Sequence, residues 1–357
     1  MRRFRMEARL YRATRDNRHL EELTSKVLAG EVEANESTRI KMTFSAELEG
    51  TDRLTPHVDY IAPVLRITYD DGTVVEGQAG LFIVLPPEEV THFRTHSAER
   101  LDGRSLDWLL DADTFDEPHT AEAGQDYVDA AVAVIQSSGI TRISIPRSGV
   151  LIPEPITWQP GEAKLNIANK LLEDVSYYHV WPDNTGRLLS IPYLDLATAE
   201  PARRLMCGQG AEIVGDIVEE KEYTSLANVI VVINEDAQDD ADLVAIRRND
   251  NPASPISTSR LGVTIRRTER ADVATQAAAD ALADRLLQES MSYYRRATLQ
   301  VLPDPNRSLH EVFELDIFRG GSWEHIVSGR WWVRTWRLGL TPARPYIEFE
   351  INKVERW

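Results

Sequence analysis

Residues 161–193 read GEAKLNIANKLLEDVSYYHVWPDNTGRLLSIPY. The stretch changes period in its middle. Leu165, Ala168, Leu172 and Val175 fall at i, i+3, i+7 and i+10, one apolar stripe of an amphipathic helix. Lys164, Glu173 and Asp174 sit off that stripe. Pro160-Gly161 marks the entry, because proline disfavours helix in the residue before it. From Tyr177 the pattern becomes strand: Tyr177, His179 and Trp181 alternate with Tyr178 and Val180. Asp183-Asn184-Thr185-Gly186 supplies turn chemistry, since Asn and Gly accept positive φ. Leu189, Ile191 and Tyr193 then line one face of a return strand. A helix feeding a hairpin is a small α+β module, and this one carries no catalytic motif.

Upstream of the module the chain reads as strands. Phe4, Met6, Ala8 and Leu10 alternate with polar neighbours, as do Ile40, Met42, Phe44, Ala46 and Leu48. Between them His19 to Ala29 is expected to form a short helix, with Leu20, Leu23, Val27 and Leu28 near helical spacing. Leu65, Ile67 and Tyr69 run into Asp70-Asp71-Gly72 and Val74, a hairpin signal. Gly80 to Leu85 is a compact strand ended by Pro86-Pro87, and Thr91 to Leu101 reads as another. Strands with short turns and no βαβ rhythm point to a small barrel or sandwich.

The texture changes at Ser105. Leu106, Trp108, Leu109 and Leu110 form a short apolar stretch, and Gln125 to Ser137 is a helix ended by Ser138-Gly139. Pro146, Pro153 and Pro155 discourage a central strand before the module. After about Leu205 the chain returns to β. Leu226 to Ile233 is a nearly continuous apolar strand, followed by the acidic loop 234–242. The longest helix runs from Asp272, a plausible N-cap, to about Met291, with Ala278, Leu282 and Leu286 in one row. Strands at Thr298–Leu302, Phe313–Ile317, Trp331–Leu338 and Ile347–Ile351 close the chain. The expected fold class is α+β and β-rich, in three parts: 1–104, 105–204, and 205–357 with an inserted helix at about 272–291.

At 357 residues the chain is long for one core. An apolar content of 42% and eight Trp indicate a globular protein. The single Cys207 excludes an internal disulfide framework and suits a reducing cytoplasm. The start MRRFRMEARLY has no apolar h-region, so no signal peptide is expected, and no window approaches a membrane span. A net charge of −17 argues against a uniform basic nucleic-acid face. It serves solubility, or a surface past which DNA slides without sticking.

The candidate chemistry is thin. His92 and His96 stand four apart, but Phe93 occupies the place of the usual Glu. On a strand they lie roughly 13 Å apart at ~3.3 Å per residue, too far for one ion. The acidic loop, with Glu235, Asp236, Asp239, Asp240 and Asp242, lacks the order of a calcium loop. Cys207 has no CxxC partner, and Gly208-Gln209-Gly210 lacks the rest of a phosphate loop. No nucleophile elbow and no dinucleotide fingerprint is present. Trp331, Trp332 and Trp336 suit either a sugar platform or packing in a core or subunit interface. No metal, cofactor or catalytic residue is expected, and the chain is read as not an enzyme.

The order of the parts resembles the central hub proteins of phage tails: the hubs of contractile baseplates, the late control protein D family, and the hub region of siphophage tail-associated proteins. Actinophage minor tail proteins look most similar. The resemblance rests on RIKMTFSAEL, on DYIAPVLRITYDDGTVVEGQAGLFIV with its turn and closing Gly-x-Phe-x-Val, and on LDGRSLDWLLDAD. It continues through the helix ending in Ser-Gly, the module with its DNTGRLL hairpin, EEKEYTSLANVIVVINED, the helix beginning ATQAAADALADRLL, and the closing strand YIEFEINKV. It covers nearly the whole chain.

The family implies two related β-barrel domains joined by α+β parts. It implies a homotrimer that makes a pseudo-sixfold ring, docks on the sixfold tail tube and presents threefold symmetry to the tip. The implied partners are the tube or distal tail protein and other tail-tip proteins. The implied location is the virion tail tip, after synthesis in the bacterial host cytoplasm. Genome passage would want a repelling lumen without sequence-specific DNA contacts, and Glu235, Asp236, Asp239, Asp240 and Asp242 are candidates to face it. As the chain stops at Trp357, an appended lysin or receptor-binding region of longer relatives is expected to be absent. The competing reading is a carbohydrate-binding surface or adhesin module of the virion.

Overall fold

The computed structural model describes residues 3–23, 26–49, 54–86, 88–91, 97–196, 198–206, 212–221, 226–234, 243–271, 273, 276–292, 295–318 and 325–354. Written alternation becomes sheet in the first part. The strand Met42–Glu49 buries Met42, Phe44, Ala46 and Leu48. It pairs antiparallel with Lys26–Asn35 on one side and Ser97–Arg104 on the other. Phe4–Ala13 runs antiparallel to Tyr60–Tyr69 along its whole length. Tyr60–Tyr69 returns as Val74–Gln78 through the expected Asp-Gly turn. There Gly72 takes φ +82 and the Tyr69 N–H donates to the Thr73 carbonyl at 2.9 Å.

The described residues of 19–29 depart from their expected helix. They form the strands His19–Glu22 and the start of Lys26–Asn35. The first pairs with Phe4–Ala13, and the Leu23 N–H donates to the Leu10 carbonyl at 2.8 Å. The helical spacing of Leu20, Leu23, Val27 and Leu28 is real, but Leu20 stays 43% exposed. Two ready strand partners override a weak local preference.

In the last part, Arg295–Val301, Val312–Phe318, His325–Gly339 and Ile347–Lys353 form an antiparallel set. Arg203–Met206 pairs alongside Val312–Phe318, and Val218–Lys221 alongside Arg295–Val301. The long strand His325–Gly339 joins this part to the first. Residues 325–332 pair with Val312–Phe318, whereas 335–339 pair with residues 31–35 of Lys26–Asn35. The change of partner coincides with a register shift on its other edge, between Val333 and Thr335, which leaves Arg334 as the extra residue. A bulge bends and twists a strand, which is what this switch requires. Both β regions therefore belong to one 15-stranded sheet. One apolar cluster runs through both, from Phe44 and Phe82 to Trp331, Trp336 and Phe349.

Between them lies the α+β part, with α1 (Asp107–Ala112), α2 (Tyr127–Ser137) and α3 (Lys164–Glu173). Asp126 caps α2 by accepting from the N–H groups of Val128 and Asp129, and Gly139 beyond its end takes φ +74. α3 buries Leu165, Ile167, Ala168, Leu171 and Leu172. The hairpin follows: Trp181–Pro182 pairs with Leu188–Leu189, and Tyr177 bridges to Pro192. At its tip Asp183 Oδ1 accepts from the N–H groups of Thr185 and Arg187. Gly186 there, at φ +78, lies so close to Leu81 that a Cβ would sit 2.7 Å from the Leu81 Cβ. The tip is thereby seated on the first β region.

A second layered unit is inserted in the last part. Val229–Asn234 pairs antiparallel with Val244–Arg248 and parallel with Arg266–Ala271. The connection carries α4 (Thr258–Leu261), and α5 (Gln276–Ser292) packs on this sheet. Among the described residues the insertion thus holds three strands besides the expected helix, the first of them the apolar run expected at 226–233. Its buried stripe is Ala279, Ala283, Leu286 and Leu287, with Ala278 and Leu282 half-buried at its margin. Asp272, the expected cap, lies outside the described residues.

Candidate functional site

Six elements meet around a cleft of about 920 Å³. The turn after Lys26–Asn35 contributes Glu36 and Lys41, and α3 contributes Asn169 and Glu173. The hairpin contributes Tyr178, His179 and Tyr193, and α5 contributes Arg285 and Glu289. Arg334, the bulge residue, and His310 close it from the last part. The cleft sits where the long strand changes partner.

Its charges are consumed in pairs. The Arg285 guanidinium lies 3.9 Å over the Tyr193 ring. It binds Glu289 at 3.1 Å and Glu173 at 3.7 Å. Arg334 reaches across to Glu36 at 2.8 Å and stacks over Trp332 at 5.5 Å. The Glu36 N–H returns to the Arg334 carbonyl at 2.9 Å. The Lys41 ammonium donates to the Glu36 carbonyl.

Behind these ions is an aromatic stack. His310 lies 4.0 Å from Tyr178 and 4.7 Å edge-on to Trp181. Tyr178 meets Tyr193 edge-on at 4.6 Å. Burial, with the cations Lys41 and Arg334 and the His179 ring nearby, pushes the His310 imidazole down to about 3. Burial likewise lowers Lys41 and raises Glu289, Tyr178 and Tyr193. The result is a neutral, stacked ring system behind paired charges, with its carboxylates bound to guanidinium groups. This arrangement suits a joint rather than a reacting centre. Among the described residues no group of three or more His, Cys, Asp or Glu could hold a metal ion.

The structure buries the three tryptophans considered as a sugar platform: Trp331 is 0%, Trp332 2% and Trp336 1% exposed. Their faces are core, so they offer no surface to a glycan. His92, His96, Cys207, Gly208, Gln209 and Gly210 lie outside the described residues. So do all five candidate lumen acids, Glu235, Asp236, Asp239, Asp240 and Asp242. Sequence reading missed Arg285, Arg334, Lys41 and His310. For Arg285 the i, i+4 spacing to Glu289 was a usable signal. Nothing local marks Arg334 as a bulge, because its partners are 298 residues away.

The architecture extends over whole chains of known structure. A tail protein from Neisseria meningitidis matches with a TM-score of 0.69, over 97% of this chain and 97% of that one, at 13% identity. The chain has the fold of phage tail proteins. The 43 kDa tail protein of prophage MuSo2 from Shewanella oneidensis matches at TM-score 0.64 and 12% identity, over 97% of this chain and 98% of its own. A type VI secretion system component from E. coli, described as similar to phage T4 tail proteins, matches at TM-score 0.51 and 10% identity, over 94% of this chain and 76% of that one. No protein-family model and no curated protein matches the sequence.

Proposed function

We propose that this chain is a structural hub of a phage tail tip, without enzymatic activity of its own. The observation that carries this reading is the whole-chain likeness to tail proteins, 97% of both chains in the first comparison. The similarity supports a structural role in a tail. The finer reading is a homotrimer that closes the distal end of the tube. Each copy contributes its two β regions, with divisions near residues 104 and 204, so three copies present six similar units to a sixfold tube. Strand pairing between 31–35 and 335–339 supports this, because it fixes the angle between the two regions. The ring would adapt sixfold to threefold symmetry and leave a lumen for the genome. Glu235, Asp236, Asp239, Asp240 and Asp242 are proposed to give that lumen negative charge, which keeps phosphates moving. The partners are the tube or distal tail protein and other tip proteins.

Gold-labelled antibody against this chain tests the placement on intact particles. Label confined to the distal end of the tail is expected. Label along the shaft or on the head would contradict the reading.

A further inference from the structure

The strand at the centre of the inserted unit is apolar on both faces, yet among the described residues only one face is covered along its whole length. Val229, Ile230, Val231, Val232 and Ile233 form an unbroken apolar run, paired parallel with Arg266–Ala271. Such runs belong to strands buried on both sides. On the inner side Ile230, Val232 and Ala245 lie under Ala279, Ala283, Leu286 and Leu287 of α5. There Arg247 binds Asp284 at 2.6 Å and Asp280 at 3.3 Å, both on α5.

Among the described residues the outer side is open beyond Val229, which is itself fully buried. Val231 and Ile233 are half-buried, while Val244 is 38% and Ile246 49% exposed. The register places Ile246 and Thr268 either side of Val231, and Val244 and Arg270 either side of Ile233. It places Arg248 and Arg266 either side of Val229. An apolar strip is thus flanked by Arg248, Arg266 and Arg270. All three are exposed and make no ion pair among the described residues. The two faces repeat one chemistry, aliphatic centre and arginine margin, and α5 shows what satisfies it.

We propose that the outer face binds an amphipathic helix with an acidic flank, supplied by another protein. The arginine margin selects the acidic flank on a chain whose net charge is −17. The apolar strip selects the amphipathic helix, as in groove recognition. A second copy of this chain has no such helix to offer among the described residues. The apolar stripes of α2, α3 and α5 are all packed into the chain's own cores. The proposal does not depend on the tail-hub reading.

The probe is a labelled synthetic peptide of residues 276–292, QAAADALADRLLQESMS, which carries the required pattern. Fluorescence anisotropy with the full chain should show saturable micromolar binding that weakens as salt rises. Arg266→Glu with Arg270→Glu should weaken it by about tenfold or more. Ile246→Glu should do the same, and a scrambled peptide of equal charge should not bind. Both variants alter exposed positions on the outer face only, so displacement of the resident α5 by the probe would leave binding unchanged. Unchanged binding, equal binding of the scrambled peptide, or no binding would each overturn the proposal. So would a change in the chain's own oligomeric mass on Ile246→Glu, which would make the face an interface between copies.

Discussion

Arg285 of α5 lies 3.9 Å over the ring of Tyr193, the last residue of the helix–hairpin module. One side chain thereby ties the inserted unit to the α+β part, and it also neutralises Glu289 and Glu173. Arg285→Ala removes the stacked cation and strands a buried carboxylate. The expected loss is about 2–3 kcal/mol, below the full value for a buried pair because the site is partly wet. Arg285→Lys should lose less, since it keeps the charge but not the planar stack. Urea unfolding of the three proteins checks this, and equal midpoints would refute the pin.

Gly339 ends the strand that both β regions share. A Cβ there would meet the Arg344 carbonyl oxygen at 2.2 Å, so backbone must move. Gly339→Ala is expected to destabilise by ~2 kcal/mol through overpacking, and to weaken protection of the amides of 31–35. Hydrogen exchange reads both regions at once. Protection lost only near residue 339 would mean that the shared pairing does not couple them.

Asp107 offers a pH test. Its side chain is fully buried and accepts from the Lys41 N–H at 2.6 Å and from the Ser105 hydroxyl. Burial pushes its carboxyl up from 3.8 to about 6, against the pull of those donors. The folded state therefore holds a proton that the unfolded chain releases between these values. Stability contributed by this group is full below pH 3.8 and falls as pH rises to about 6. Relative to Asp107→Asn, the native protein should lose up to ~3 kcal/mol across that window. Parallel stability profiles from pH 3.5 to 7 would show that the shift is absent.

Leu172 on α3 is fully buried, within the cluster that also holds Ala131, Val134 and Leu188. Leu172→Ala should cost about 3 kcal/mol by leaving a cavity, and Leu172→Asp should cost more by burying an unpaired charge. Thermal unfolding of the first and the soluble yield of the second are the readouts. A native-like Leu172→Asp protein would remove α3 from its organising place.

Local signals carried most of the architecture. Asp71-Gly72 marked its hairpin, Ser138-Gly139 marked the end of α2, and the alternation of 42–48 and 347–351 marked half-buried strands. These read correctly because each depends on neighbours within a few residues. Residues 19–29 misled because four apolar side chains sat at helical spacing while strands distant in sequence claimed the backbone. The shared strand was legible as a strand, but its partner 300 residues earlier was not. Nor were the buried charges: Lys164 reads as a solvated helix residue, yet it is 6% exposed and bound to Asp113 at 2.7 Å. The cleft was invisible for the same reason, since its residues come from elements spread between positions 36 and 334. The module at 161–193 supplies the side chains on which α5, the first β region and the last part all rest.

The proposed role is to close the distal end of a tail tube as a trimer. A reconstruction of the intact tail tip tests it most directly. Three copies about the axis are expected, with both β regions of each forming a ring of six units against the last tube layer. Absence of the chain from the tip, or single copies decorating the outside of the tail, would contradict it.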